Sequence, residues 1–550
     1  MFLFNKRSIS QQWFWIGMAG VFLVSLALRF WGLERFNTLV FDEVYYAKFA
    51  NNYLTRTPFF DGHPPLSKYI IAVGMWIGDR LPFGKDTMNG LAGSLHSPWS
   101  YRWLNALTGS FIPLVLGGIA YQLTYRRSYA LIAAIFAAAD GLFLVESRYA
   151  LNNVYLVIFG LLGQWFFLLG LANQAMRRWF WLALAGIFFG ASVAIKWNGL
   201  WFLLGAYFMW GFAWVMQWVQ QAIDKQSKKA GQPGSRGAEE QRRFFPHSSL
   251  RTPHSGLRTS NSSALSPQSS VLTPNSSNLS PQSSALTLTP LQNLTELNLL
   301  HVLVNLAIIP FLFYAVIWIP HIQLNPEFGF WEVQRQILSY HQRVGDGPTI
   351  HPYCSRWYTW LLMLRPVAYF YQTAQNTSAM VPALPPLPKG MGNVIYDVHA
   401  MGNPVLWLLS TVAILLLLFL LAQNFLTGKG WKFTPSASTW IALYLVLNWL
   451  ANVLPWVRVT RCTFLYHYMG ASVFAGLALA WIVDGWLQSP ARQLRAIALT
   501  IIFAILAAFV FWMPIYLGLP LSPRDYQILI PRFNVRSVPS WLRQWVPNWI

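Results

Sequence analysis

Two adjacent carboxylates, Asp42 and Glu43, stand about a dozen residues past the first long apolar run of the chain. The sequence holds only 18 acidic residues in 550, so such a pair is not a product of crowding. A carboxylate held beside lipid headgroups can take the proton of a hydroxyl as its oxygen attacks a carbon. The plainer role for Asp42 is to cap a helix, because Tyr46, Phe49 and Tyr53 follow it at helical spacing. Glu43 would then be a solvated neighbour. The same stretch continues Phe59-Phe60-Asp61-Gly62-His63-Pro64-Pro65-Leu66-Ser67-Lys68. His63-Pro64-Pro65 is a stiff, extended element. Lys68 sits at the edge of an apolar segment, where it either snorkels to headgroups or meets a lipid phosphate. Arg148, Lys196 and Arg461 each border an apolar run, and His467 lies between two tyrosines. Cations preorganised around a departing phosphate stabilise the charge it gains.

These residues hang on apolar segments. The chain is 55% hydrophobic and 10% charged, against roughly a quarter charged for a soluble domain. Eleven runs have the length needed to cross a bilayer core, near 13–30, 102–121, 129–145, 153–172, 179–195, 199–219, 299–319, 404–421, 437–454, 464–486 and 495–517. A shorter run, 69–78, reads as a re-entrant or interfacial segment. The first run lacks a small-residue cleavage site after it and reads as a retained helix. With Lys6 and Arg7 in the cytoplasm, five connections on that side are basic: they carry Arg126 and Arg127, Arg177 and Arg178, the loop 220–298, Lys429 and Lys432, and Arg492 and Arg495. That obeys the positive-inside rule. The outer segments are then 31–101, 146–152, 196–198, 320–403 and 455–463, with the tail after 517. Arg148, Lys196, Arg458 and Arg461 break the trend by lying outside. The net charge of +21 therefore reads as loop and headgroup charge rather than as a nucleic-acid surface.

From His247 six seven-residue units repeat, each with one Leu and most with a Pro. No coiled coil can run through them, and their Ser, Thr, Asn and Pro content reads as a disordered linker. The expected division is an N-terminal transmembrane catalytic region 1–219 with outer loop 31–101, the linker 220–298, and a C-terminal transmembrane region 299–550 with outer loop 320–403. Cys354 and Cys462 make no metal site by spacing. Both fall outside, where a disulfide can form; the expectation is two free thiols. No metal-ligand cluster is visible, and no cofactor is expected.

The Asp42-Glu43 pair followed by Phe59-Phe60-Asp61-Gly62-His63-Pro64-Pro65-Leu66-Ser67-Lys68 resembles the protein O-mannosyltransferase family. Further matches follow in order: Ser147-Arg148-Tyr149, then Lys196-Trp197-Asn198-Gly199, then His351-Pro352-Tyr353-Cys354-Ser355-Arg356-Trp357 with Arg365-Pro366-Val367, then Gly402-Asn403-Pro404, then Leu454-Pro455-Trp456 with Arg461 and Phe464-Leu465-Tyr466-His467-Tyr468. The resemblance implies an all-α polytopic membrane protein of the GT-C glycosyltransferase type, in the cell membrane, with its active site on the outer face. It implies inverting transfer of mannose from a polyprenyl-phosphate donor to Ser or Thr of exported proteins. Asp42 would be the base and Glu43 its essential neighbour; Arg148, Lys196, Arg461, Lys68 and His467 are candidates for the donor phosphate. The outer loop 320–403 has no room for the β-trefoil domain of eukaryotic members, so the match is to the bacterial type. Many members carry an acid a few positions past Arg148, where Asn152 and Asn153 stand here. Related enzymes transfer aminoarabinose to lipid A, so a lipid or glycan acceptor is the alternative. A transporter or flippase would place its carboxylates near the membrane midplane, and a scaffold would need no carboxylate pair facing cations.

Overall fold

The computed structural model describes residues 9–230, 289–347, 350–374, 393–426 and 436–530. The heptad segment, Lys6, Arg7, Lys429 and Lys432 lie outside the described residues. The chain divides into a large unit, Met1–Val215 with Thr287–Ile550, and a small one, Met216–Leu286, whose described part is the end of a helix.

The first half contains α1 (Gln11–Phe30), α2 (Glu43–Thr55), α3 (Leu66–Gly78), α4 (Pro98–Thr124), α5 (Arg127–Ala138), α6 (Gly141–Arg148), α7 (Asn153–Ala172), α8 (Ala175–Val193) and α9 (Leu200–Ala230). The broken helix α10 (Leu299–Leu324) follows, then α11 (Phe330–Arg343), strands β1 (Val367–Ala374) and β2 (Val394–Ala400), α12 (Pro404–Leu426), α13 (Ala437–Val453), α14 (Met469–Leu487), α15 (Arg492–Leu517) and α16 (Pro523–Leu529). Among the described residues nine helices are long and apolar enough to span a membrane, and a tenth if α5 and α6 count as one span bent by 59°. The remaining expected span is α8, 19 residues long with Arg177 and Arg178 in its first turn. α3, at 13 residues, is too short to cross.

The run read as one span over 129–145 breaks because Asp140 starts a new helix: its Oδ1 accepts from Phe143 N at 3.1 Å. α4 is the hub, packing on α1, α3, α5, α6 and α7. At Gly109 a Cβ would lie 2.2 Å from the Ser147 Cβ, so only glycine lets α4 and α6 come this close. The chain is not purely helical. β1 and β2 form an antiparallel hairpin in the segment between α11 and α12, with a register shift between Ala368 and Phe370. That bulge re-aims Tyr369, which reaches Glu146.

Cys354 and Cys462 form a disulfide, with Cα atoms 5.1 Å apart. This corrects the expectation of free thiols. The backbones around the bond are already paired: Cys462 N donates to Gly345 O at 2.9 Å and Ser355 N to Thr463 O at 2.8 Å. Spacing in sequence, 108 residues, could not reveal that closeness.

Candidate active site

The segment before α2 is built around one buried ion pair. Arg102 grips Glu43 with Nε to Oε1 at 2.8 Å and Nη2 to Oε2 at 2.7 Å. Its remaining donors reach the carbonyls of Leu33, Phe36 and Thr38. Glu43 also accepts from Val40 N and Ala150 N, both at 2.8 Å. Both side chains are fully buried. Glu43 therefore holds the loop and does not face a substrate. The loop carries strain as well: Phe41 has φ +52°, a left-handed conformation that costs a non-glycine residue roughly 1–2 kcal/mol. Its ring is stacked on Tyr369 at 4.1 Å.

Asp42, between strained Phe41 and anchored Glu43, is left free. It stands at the N-cap position of α2 but its side chain makes no capping bond, because its backbone is helical (φ −69°, ψ −2°) rather than extended. It keeps part of its surface open while protein surrounds it. Burial raises its pKa to about 6; Lys196 pulls the other way, and Asp61 adds to the rise. Capping α2, the plainer of the two roles open to Asp42 in the sequence, is thus not what its side chain does.

Two expected phosphate ligands are committed elsewhere. Arg148 donates from Nη1 to the carbonyls of Leu28, Arg29 and Trp31, and from Nη2 to that of Gly32. It closes the C-terminal end of α1, where orphan carbonyls and the helix dipole attract a cation. Lys68 is fully buried and pairs with Asp61. Its ammonium also donates to the carbonyls of His63 and Pro64. It ties down the His63-Pro64-Pro65 bend and has no donor left for a lipid phosphate.

Lys196 and Arg461 are better placed. Lys196 Nζ donates to Asn153 Oδ1 at 2.9 Å and lies 5.3 Å from the centre of the Tyr466 ring. Burial lowers its pKa to about 8, with Asp42 and Glu146 opposing that fall. The Arg461 guanidinium donates from Nη1 to Cys462 O at 3.1 Å and faces Tyr466 and Tyr340. Burial lowers its pKa as well. His467 holds the Phe464 backbone through Nδ1 at 3.1 Å, and its ring packs 4.7 Å from Trp456 and 4.7 Å from Tyr466. α11 closes the site from outside. At Gly62 a Cβ would lie 2.5 Å from the Tyr340 ring, and His341 lies 5.3 Å from His63.

The candidate residues come from both halves of the chain, as the inclusion of Arg461 and His467 among the sequence candidates already implied. Arg461, Tyr466 and Tyr369 come from the second half. Arg102, Glu146 and Tyr369 were not singled out from sequence, and Asn153 only as standing where many members carry an acid. Arg102 sits inside an apolar run and reads as a membrane-edge cation. Glu146 precedes Arg148, whereas an acid was sought after it. A buried acid closing an apolar run was the available signal. Among the described residues no group of three or more His, Cys, Asp or Glu could hold a metal.

Residues 19–236 match the family model described as dolichyl-phosphate-mannose-protein mannosyltransferase. Residues 328–530 match that of the C-terminal four-transmembrane region of protein O-mannosyltransferase. A polyprenol-phosphate-mannose–protein mannosyltransferase of Mycolicibacterium smegmatis is 24% identical over 575 aligned residues, covering 93% of this chain and 88% of the relative. Protein O-mannosyl-transferase 2 of Drosophila pseudoobscura pseudoobscura is 28% identical over 216 residues, covering 36% of this chain and 27% of the relative. The chain thus matches about a quarter of the length of that fly protein. The S. cerevisiae Pmt1-Pmt2 complex bound to the sugar donor aligns with TM-score 0.67 and 14% identity, over 96% of this chain and 94% of that one. This last likeness is one of fold.

Proposed function

Because the chain belongs to the protein O-mannosyltransferase family, we propose that it is an inverting glycosyltransferase that moves mannose from a polyprenyl-phosphate carrier to Ser or Thr hydroxyls of exported proteins. The observation that carries this reading is the free carboxylate of Asp42 facing Lys196. Asp42, Glu146 and Arg461 all bear on Tyr466. The acceptor oxygen attacks the anomeric carbon from the side opposite the phosphate, and Asp42 takes its proton. The bond from that carbon to the phosphate oxygen breaks, and the electron pair leaves with the phosphate. Lys196 and Arg461 face the charge that grows there, Arg461 with a planar fork suited to phosphate oxygens. His467 contributes through its second ring nitrogen. The name of the M. smegmatis relative pairs the same donor class with a protein acceptor.

The active site faces the outside of the cell membrane in this reading. Two observations support that orientation: the basic connections on the opposite side, and a disulfide beside Arg461, since such bonds persist in oxidising compartments. The chain then has two transmembrane regions, 1–219 and 299–550, joined by the cytoplasmic segment 220–298, with the site drawn from both.

The test is transfer by purified protein from synthetic polyprenyl-phosphate mannose to a Ser/Thr peptide, with the anomeric configuration of the product determined. Retention of configuration, or transfer to lipid alone, would overturn the reading. Arg461→Ala is expected to lower kcat about 10²-fold, the lower range for one donor removed from a preorganised site. KM for the donor should change far less, because the charge grows towards the transition state. A change confined to KM would make Arg461 a headgroup contact.

A further inference from the structure

The cluster around Asp42 holds a second carboxylate that the transfer chemistry leaves unused. Glu146, in the last turn of α6, is fully buried. Its Oε1 accepts from Asn153 Nδ2 at 3.0 Å and from the Tyr369 hydroxyl. Its Oε2 has no hydrogen-bond partner. Asn153 turns its own Oδ1 to Lys196 Nζ at 2.9 Å. One amide thus bridges the two charged groups, donating to the acid and accepting from the ammonium. An ionised carboxylate buried without a cation would be costly, and the cation that faces Glu146 is Lys196.

We propose that Glu146 is a positioning residue which, acting through Asn153, holds the Lys196 ammonium charged and in place between Asp42 and the donor phosphate. The inference rests on the mannosyl-transfer reading above. Lys196 also faces Asp42 and Asp61 from the first outer loop and Arg461 from the segment before α14. His63, His467, His341 of α11 and the Tyr466 ring also surround it. Burial and Arg461 push the Lys196 pKa down; Asp42, Glu146 and Asp61 hold it up. Without the Glu146 charge the ammonium loses its proton at lower pH. The alkaline limb of kcat then moves down; Glu146 also faces Asp42, so the alkaline limb is the diagnostic one.

The experiment compares kcat–pH profiles of purified wild type, E146Q, N153D and E146Q/N153D, from about pH 6 to about pH 9. E146Q keeps the shape and an oxygen for Asn153. It should move the alkaline limb down by about one unit, which at a pH on that limb is a loss of up to about tenfold. N153D alone sets a second carboxylate against Glu146, and the pair takes up one proton, so its limb should stay close to the wild-type position. The double variant should return it close to the wild-type position. An unmoved limb in E146Q, an equal loss at every pH, or no rescue by N153D overturns the proposal. If E146Q does not fold, an unmoved alkaline limb in N153A, which removes the bridging amide, overturns it. Absence of transfer by the wild type would instead sink the broader reading, and is seen before any variant is made.

Discussion

Asp42→Asn should reduce mannosyl transfer by at least ~10²-fold, the lower range for loss of a general base, while leaving the fold intact. The carboxylate makes no capping bond in the structure, so the amide removes basicity and little else. Donor binding should persist, since the contacts assigned to the phosphate lie on Lys196 and Arg461. The wild-type enzyme should show an acid limb. Its base has a pKa of about 6, raised by burial, so activity falls as Asp42 takes up a proton below that pH. Asp42→Asn should lose both the rate and that limb. Turnover of the purified variant within a few-fold of wild type would end the assignment.

Glu43→Gln and Arg102→Met should each destabilise the protein, by about 3–5 kcal/mol, because each leaves a buried charge without its partner. The double change Glu43→Leu/Arg102→Met should cost less than either single one, since it buries no lone charge. Thermal unfolding in detergent reads this directly. Activity should fall in all three, the double variant included. The backbone at Leu33, Phe36 and Thr38 is held by Arg102, and Phe41 needs that frame to keep its left-handed conformation. A stable double variant with normal turnover would mean that Asp42 holds its place without the frame.

The membrane helices were legible in sequence because each needs a long apolar run, and nothing polar can replace it. Asp42 was legible because a carboxylate pair is rare in such a chain. What could not be read was which charges point at one another. Arg148 and Lys68 looked like phosphate ligands by type and by side of the membrane, yet both satisfy local carbonyls. Only the path of α1 and the bend at His63-Pro64 reveal that. Glu43 looked exposed because its partner Arg102 lies 59 residues away. The span around residue 140 looked continuous because apolarity does not register a cap bond from Asp140. Hairpin residue Tyr369 reaches Glu146 across 223 positions, a contact made by the bulge between Ala368 and Phe370.

The Cys354–Cys462 bond sets an order of assembly. A chain inserted from its N-terminus presents Cys354 before α12 and Cys462 only after α13 has crossed. Arg461 sits next to the later cysteine and hydrogen-bonds its carbonyl. Its final placement therefore waits until α12 and α13 are in place and the two thiols have been oxidised. A half-threaded chain carries Asp42 and Lys196 but lacks its fixed arginine fork, so catalytic competence arrives as a late step of biogenesis.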